Sequence, residues 1–232
     1  MKKLNEYVHK KKETEWLKTV KDFKRRYSLK YNNNEELKPQ YIMETINKIA
    51  KDNTIIVTSV GQHQMWAALY YQYTEPRTFI SSGGLGTMGY GFPAALGAKM
   101  GCPEKKVICI SGDGSFQMNQ QEIATAVNNN IAVTVIIMNN GYLGMVRQWQ
   151  ELFFDRRYAK TTLNGNPDFV KLVEAYGGTG IRVSNKKELN PALEKALSLN
   201  SFVLIDCLIP KEENVFPMVA PGSPIIKMLG VD

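Results

Sequence analysis

VICISGDGSFQMNQQEIATAVNNNIAVTVIIMNNGYLGM, running from Val107 to Met145, decides how the chain reads. Val107 to Ser111 is an apolar run stopped by Gly112, Asp113 and Gly114, and Ile131 to Met138 is a second, stopped by Asn139, Asn140 and a glycine. Apolar runs of strand length between turn residues mark strands buried on both faces of a parallel sheet. With a helix at about Asn119 to Asn128 between them, the stretch predicts a βαβ unit.

Ligands of parallel sheets sit beyond the carboxyl ends of the strands, which singles out Asp113 and Asn140 at two strand ends, Asp113 expected to face solvent. A carboxylate oxygen beside an amide oxygen suits a hard, octahedral cation such as Mg²⁺. Two protein ligands do not close that shell. Waters, a backbone carbonyl just past Asn140 and diphosphate oxygens would complete it, with the N–H groups of Gly114 and Ser115 at a helix start favouring phosphate. Taken singly, Gly-Asp-Gly and Asn-Asn-Gly are ordinary turn chemistry. At the ends of two strands joined by one helix, they point together to a magnesium-diphosphate site.

The GDGS motif and the NN pair about 27 residues on resemble the cofactor motif of thiamine diphosphate enzymes. GQHQMW at Gly61 to Trp66, GLGTMGYGFPAALGAK at Gly84 to Lys99 and GMVRQWQELFFDRRY at Gly144 to Tyr158 resemble the large, catalytic subunit of acetolactate synthase. The resemblance spans roughly residues 35–224, corresponding to the carboxy-terminal third of that subunit. It implies thiamine diphosphate and Mg²⁺ as cofactors, with Asp113, Asn140 and the Tyr142 carbonyl on the metal. Gln62, His63, Gly114 and Ser115 would hold the diphosphate, and Gly61, Gly86, Gly112, Leu143 and Gly144 would complete the cofactor site. Met88 and Met145 would impose the bent cofactor conformer, while Val60 and Trp149 would lie near the two substrates.

Charge excludes other functions. Residues 1–30 hold eleven Lys or Arg against four acids, and the rest of the chain has eighteen of each sign, so the folded body is neutral and offers no basic face to nucleic acid. No apolar run reaches the length of a membrane span and no signal peptide leads the chain, which predicts a cytoplasmic protein. Cys102, Cys109 and Cys207 lack metal-ligand spacing and read as reduced structural residues.

In chain order, Leu4, Tyr7, Val8, Trp16, Leu17, Val20, Phe23 and Tyr27 form an amphipathic helical pattern among lysines. Tyr31 to Lys38 reads as a linker, dividing 1–38, the end of the family's middle domain by resemblance, from 39–232, the cofactor-binding domain with its tail. A helix from Gln40 to Lys51 leads to a strand at Thr54 to Ser59, then to a short strand at Arg77 to Ile80. The next glycines, GLGTMG at Gly84 to Gly89, also fit the GxGxxG of a dinucleotide-binding module, with Asp113 as the ribose acid. That rival leaves the turn after Asp113 and the Asn139-Asn140 strand end without a role.

Tyr142 to about Asn166 is expected to be a long active-site loop without amphipathic order. Helices at Phe169 to Tyr176 and Lys187 to Leu199 and strands at Thr179 to Val183 and Phe202 to Leu208 follow. The tail from Asn214 to Gly222 is Pro-rich and expected without regular structure. The fold class is a three-layer α/β/α sandwich on a mostly parallel sheet of about six strands.

By resemblance the reaction is decarboxylation of pyruvate and transfer of its two-carbon unit to a second 2-keto acid, pyruvate or 2-ketobutyrate, in branched-chain amino-acid biosynthesis. Another thiamine diphosphate-dependent 2-keto acid enzyme is the nearest alternative. The family also implies as partners a homo-oligomer such as a dimer, or the pyrimidine-binding and middle domains that this stretch lacks, with a regulatory small subunit, and FAD bound by that middle domain.

Overall fold

The computed structural model describes Tyr7 and residues 13–50 and 53–230. These form two compact units, one from Asn32 to Val215 and one combining the described residues up to Tyr31 with the tail from Phe216. The larger unit thus starts before the expected division at residue 38 and excludes most of the tail.

In the smaller unit, helix α1 (Glu15–Arg26) is capped by Thr14, whose hydroxyl accepts from the Leu17 amide at 3.2 Å, and Lys24, Arg25 and Arg26 complement its carboxyl end. The predicted stripe lies on this helix and is exposed, Trp16 at 71%. Tyr7 is also exposed. Leu4 and Val8 fall outside the described residues. The tail is not wholly irregular, as β7 (Met218–Val219) pairs antiparallel with β8 (Met228–Leu229). Pro217, Pro221 and Pro224 flank these two-residue strands and so cost them no hydrogen bond.

The larger unit is a six-stranded sheet in the order β2-β1-β3-β4-β6-β5, parallel throughout. Its strands are β1 (Thr54–Thr58), β2 (Phe79–Ser81), β3 (Lys106–Gly112), β4 (Thr134–Asn139), β5 (Thr179–Val183) and β6 (Val203–Leu208). The three central strands are buried nearly end to end, which is why their sequences do not alternate. Ile55, Val57, Val107, Cys109, Val135, Ile137 and Leu204 share one face with Phe92, Phe116, Phe169 and Phe202. The rings pack in a row, Phe92 lying 5.3 Å from Phe116 and 5.4 Å from Phe202, with Phe116 5.8 Å from Phe169. The alternate residues Ile56, Ile108, Ile110, Ile136, Val203, Ile205 and Cys207 point the other way and are equally buried.

Helices cover both faces. On the phenylalanine side α4 (Gly91–Gly101) contacts β1 and β3, and α8 (Phe169–Ala175) contacts β5 and β6. On the other, α2 (Pro39–Ala50) contacts α3 (Gln62–Tyr70) and α9 (Lys186–Ser198), and these two contact the sheet. Three layers result. Lys51, the expected end of α2, lies outside the described residues.

Two predicted elements are corrected. The single helix expected from Asn119 is two, α5 (Asp113–Gln117) and α6 (Glu122–Asn128), so Asp113 begins a helix directly at the end of β3. The expected loop after Tyr142 starts with α7 (Gly144–Phe153), which is amphipathic in an unusual sense: its buried residues are Arg147 and Gln148. A periodicity search keyed to apolar residues misses a helix whose inner face is polar.

The start of α4 abuts the end of β1. A Cβ at Gly91 would stand 2.5 Å from the Ser59 nitrogen and 2.8 Å from the Thr58 carbonyl carbon, so only glycine lets the helix meet the strand end that carries the site. Gly91→Ala should therefore lower the unfolding free energy by about 1–3 kcal/mol. Gly97→Ala, in the same helix with nothing within 4 Å of the new methyl, should instead stabilise by roughly 0.5–1 kcal/mol. Urea unfolding of the two variants checks the pair.

Candidate active site

The ends of β1, β3 and β4 open into one cleft with about 460 Å³ of empty space. It lies where β1 is flanked by β2 on one side and β3 on the other, at the change of strand order where ligands of open α/β sheets bind. Val60, Gly61, Gln62 and His63 come from the end of β1, Gly112, Asp113, Gly114 and Ser115 from β3 and α5, and Asn140, Tyr142, Leu143, Gly144 and Met145 from β4 and the start of α7. Met88 closes the wall. Every residue the sequence singled out is here except Gly86 and Trp149. Gly86 is exposed in the preceding loop, and Trp149, 41% exposed, lies in an open groove with Gln150, Phe154 and Arg157 that joins the cleft only through Val146.

Asp113 does not face solvent as expected; it is 1% exposed. Its Oδ2 accepts from the Gly141 amide at 3.0 Å and from Asn166 Nδ2 at 2.6 Å. Asn166 is in turn held by Gln117 Nε2 at 2.7 Å. Burial raises the pKa to about 6, against the lowering effect of the hydrogen bonds from Asn166, Gly114 and Gly141. A carboxylate so placed is costly until a cation shares its charge.

The two asparagines ending β4 part company. Asn139 donates at 3.0 Å to Asp206, a buried carboxylate of β6 that also takes Arg182 Nη2 at 3.2 Å. Asn140, at the next position, faces the cleft. Its Oδ1 accepts from the Tyr142 amide at 3.0 Å and its Nδ2 donates to Gln62 Oε1 at 3.3 Å. Gly144 makes this packing possible: a Cβ there would overlap Gln62 Oε1 and lie 2.8 Å from Asn140 Nδ2.

His63 is buried, its pKa lowered to about 3 by desolvation with partial opposition from a hydrogen bond to the Ser59 backbone. Its Nε2 is buried without a hydrogen-bond partner. An orphaned nitrogen lining a cleft is a place for a ligand to bond. The Ser115 hydroxyl, by contrast, is occupied by protein: it bonds Ser59 Oγ and accepts the Gly89 amide at 3.0 Å. That ties down the loop behind Met88, which Asn119 fastens again through the Gly89 carbonyl at 2.9 Å. Gln62 is likewise engaged, donating to Gln148 Oε1 at 2.8 Å and to the Glu213 carbonyl at 3.0 Å.

The donor set fits a diphosphate held through a hard cation: one carboxylate, one amide oxygen, and the unpaired imidazole nitrogen beside them. Among the described residues no three His, Cys, Asp or Glu side chains converge as a metal site. A cation in this cleft would depend on oxygens from amide, backbone and ligand. Sequence reading missed Asn166, Gln117 and Gln148, which support the site without lining it, and Trp66 and Met138, which line it. The Asn-Pro-Asp run at Asn166 signals only a turn.

Residues 59–207 match the family model described as thiamine pyrophosphate enzyme, C-terminal TPP binding domain. The chain is 44% identical over 218 residues to the acetolactate synthase isozyme 3 large subunit of Escherichia coli, covering 92% of this chain and 38% of that subunit. It is 42% identical over 228 residues to the mitochondrial acetolactate synthase catalytic subunit of Saccharomyces cerevisiae, covering 96% of this chain and 33% of that protein. The chain therefore spans little more than a third of the length of these relatives. Among solved structures, the thiamine diphosphate-dependent 4-hydroxybenzoylformate decarboxylase of Rhodococcus jostii RHA1 superposes with a TM-score of 0.72 at 25% identity, over 81% of this chain and 35% of that one. The match takes in the ends of β1, β3 and β4 and decides against a dinucleotide-binding module, so the chain belongs to the C-terminal, cofactor-binding domain family of the thiamine pyrophosphate enzymes.

Proposed function

We propose that this chain supplies the diphosphate and metal half of an acetolactate synthase active site. The observation that carries the reading is the convergence of Asp113, Asn140 and the unpaired Nε2 of His63 in one cleft at the change of strand order. Identity of 44% to an acetolactate synthase subunit against 25% to a decarboxylase favours the ligating reaction over simple decarboxylation.

Asp113 and Asn140, with the Tyr142 carbonyl, would hold Mg²⁺. His63 and the backbone at Gly114 and Ser115 would hold the diphosphate. Gln62, whose amide is committed to protein partners, serves by fixing Asn140. When bound, thiamine diphosphate supplies the electron sink for decarboxylation of a 2-keto acid. Met88, on a loop pinned by Ser59 and Ser115, gives the cofactor a rigid wall, and Met145 faces the same cleft. Pyruvate as donor and pyruvate or 2-ketobutyrate as acceptor are the substrates we assign. The groove beside Trp149 is the approach to them, and the exposed face of α1 and the open side of the cleft are where further domains or a second copy would pack.

The direct test is thermal shift with thiamine diphosphate and Mg²⁺. A ligand at a hundred times its dissociation constant adds about 2.7 kcal/mol to the parent. Asp113→Ala should abolish that gain, and an equal gain in the variant would refute the assignment. Asn140→Ala should reduce it by less, since a neutral ligand is lost.

Asp113 also predicts a pH dependence in the cation-free chain. Its pKa rises from 3.8 to about 6 on folding, so the folded state binds the proton more tightly and stability falls as pH rises through that interval. The loss amounts to about 3 kcal/mol at neutral pH by the size of the shift. Asp113→Asn should recover most of it at pH 7 and little at pH 4, read by urea unfolding in the presence of a chelator.

The 232-residue chain, saturated with cofactor and Mg²⁺, should form no acetolactate at a useful rate. The cleft grips one end of the cofactor, and positioning of the reacting end is worth up to about 7–11 kcal/mol of barrier. In a complete enzyme carrying this domain, Trp149→Leu should reduce the preference for 2-ketobutyrate over pyruvate, by at most roughly 10- to 200-fold, the worth of one methylene. Product ratios in a competition assay measure it.

A further inference from the structure

We infer that Gln148 is a positioning residue which sets the orientation of the Asn140 amide, by passing on the polarity of the Val215 backbone through Gln62. The inference rests on the reading of Asn140 as a cation ligand. Gln148 is fully buried on α7. Its Nε2 donates to the Val215 carbonyl at 3.0 Å, and its Oε1 accepts the Val215 amide at 2.8 Å. An amide side chain bonded to both groups of one backbone residue fits one way round only, since a flip would set carbonyl against oxygen and N–H against NH₂.

That fixed sense propagates. With Gln148 Oε1 turned toward it, Gln62 must present its Nε2, and does so at 2.8 Å. The same nitrogen donates at 3.0 Å to the Glu213 carbonyl, a second backbone group demanding the same sense. Gln62 Oε1 is thereby aimed at Asn140, which must answer with Nδ2, at 3.3 Å. Asn140 Oδ1 is left on its other side, where it meets the Tyr142 amide and is the atom a hard cation requires. If any one amide in the relay reversed, the next would face like against like, and Asn140 would offer a cation its NH₂ group. The segment around Val215 thus shares with the Tyr142 amide the orienting of a side chain it does not touch.

The test is a double-mutant cycle on Mn²⁺ affinity, titrated by electron paramagnetic resonance on the full 232-residue chain with saturating thiamine diphosphate. Gln148→Met, which keeps the bulk and removes the relay, should weaken Mn²⁺ by about 10- to 100-fold, the usual effect of losing an outer partner of a metal ligand. In an Asn140→Asp background the same substitution should cost less than about threefold or improve binding, because a carboxylate carries oxygen on both sides and the intact relay sets Gln62 Oε1 against one of them. Equal losses in the two backgrounds would make Gln148 merely structural and overturn the inference, as would unchanged affinity in Q148M alone. If Q148M does not fold, Gln148→Ala takes its place, since it leaves room for water to satisfy Val215. Asp113→Ala separates the two levels: Mn²⁺ affinity unchanged by it would bring down the cation reading itself, whereas its loss beside a silent Q148M would bring down only the relay.

Discussion

A carboxylate held almost out of water at the end of a central strand is the constraint around which the rest of the molecule is arranged. Asp113 follows directly on β3, so its position is fixed by the sheet, and the groups that make its burial tolerable come both from its own helix and from far along the chain: the Gly114 amide beside it, the Gly141 amide from beyond β4, and Asn166 from before α8, held by Gln117 of α5. Burial still dominates and keeps the acid's pKa well above that of a free carboxyl. An isolated fold would be better off without this group. Its place at the buried end of a central strand fits a site built for a positive charge.

How much of this was legible in the sequence depends on which physical signal each feature carries. The parallel sheet was, because strands buried on both faces leave continuous apolar runs such as Ile55 to Val57 and Val133 to Met138. The cleft was, because its backbone turns demand specific residues: Gly-Asp-Gly, Asn-Asn-Gly and the glycine at 144. The polar scaffolding was not. Gln148, Arg147 and Asn166 look like surface residues, and nothing in an amide's identity tells whether protein or water satisfies it. Asp113 was placed correctly along the chain but wrongly in depth for the same reason, since exposure depends on the loop at residue 166, far away in sequence. Gln62 shows a related limit: motif position put it at the diphosphate, and its side chain is engaged with Gln148, the Glu213 carbonyl and Asn140.

Helix α7 illustrates how one element can serve two kinds of surface. Its inner side is hydrophilic and dry: Arg147, fully buried, pairs with Glu151 at 2.7 Å and reaches Asn214, while Gln148 grips Val215. Its outer side is apolar and wet, with Val146, Trp149 and Phe153 exposed. A helix embedded by hydrogen bonds has a defined register and rotation, because directional bonds do not slide as an oily face can. The apolar side chains it displays are therefore held at fixed places beside the cleft, as a specificity surface requires.

The ladder between residues 141–143 and 161–163 carries a consequence of its own. The Leu143 amide bonds the Thr161 carbonyl, the Leu163 amide bonds the Gly141 carbonyl, both at 2.8 Å, and Tyr142 bridges Thr162. The two segments are the two ends of one excursion of the chain that begins at Asn140 and returns at Asn166, with α7 in between. Those hydrogen bonds close the neck of the excursion beside Asp113 and Asn140, while Arg147 and Gln148 tie its helix to Asn214 and Val215. The neck fixes where α7 starts and where the chain rejoins Asn166, so the residue that bonds Asp113 and the helix that carries Trp149 share one anchor.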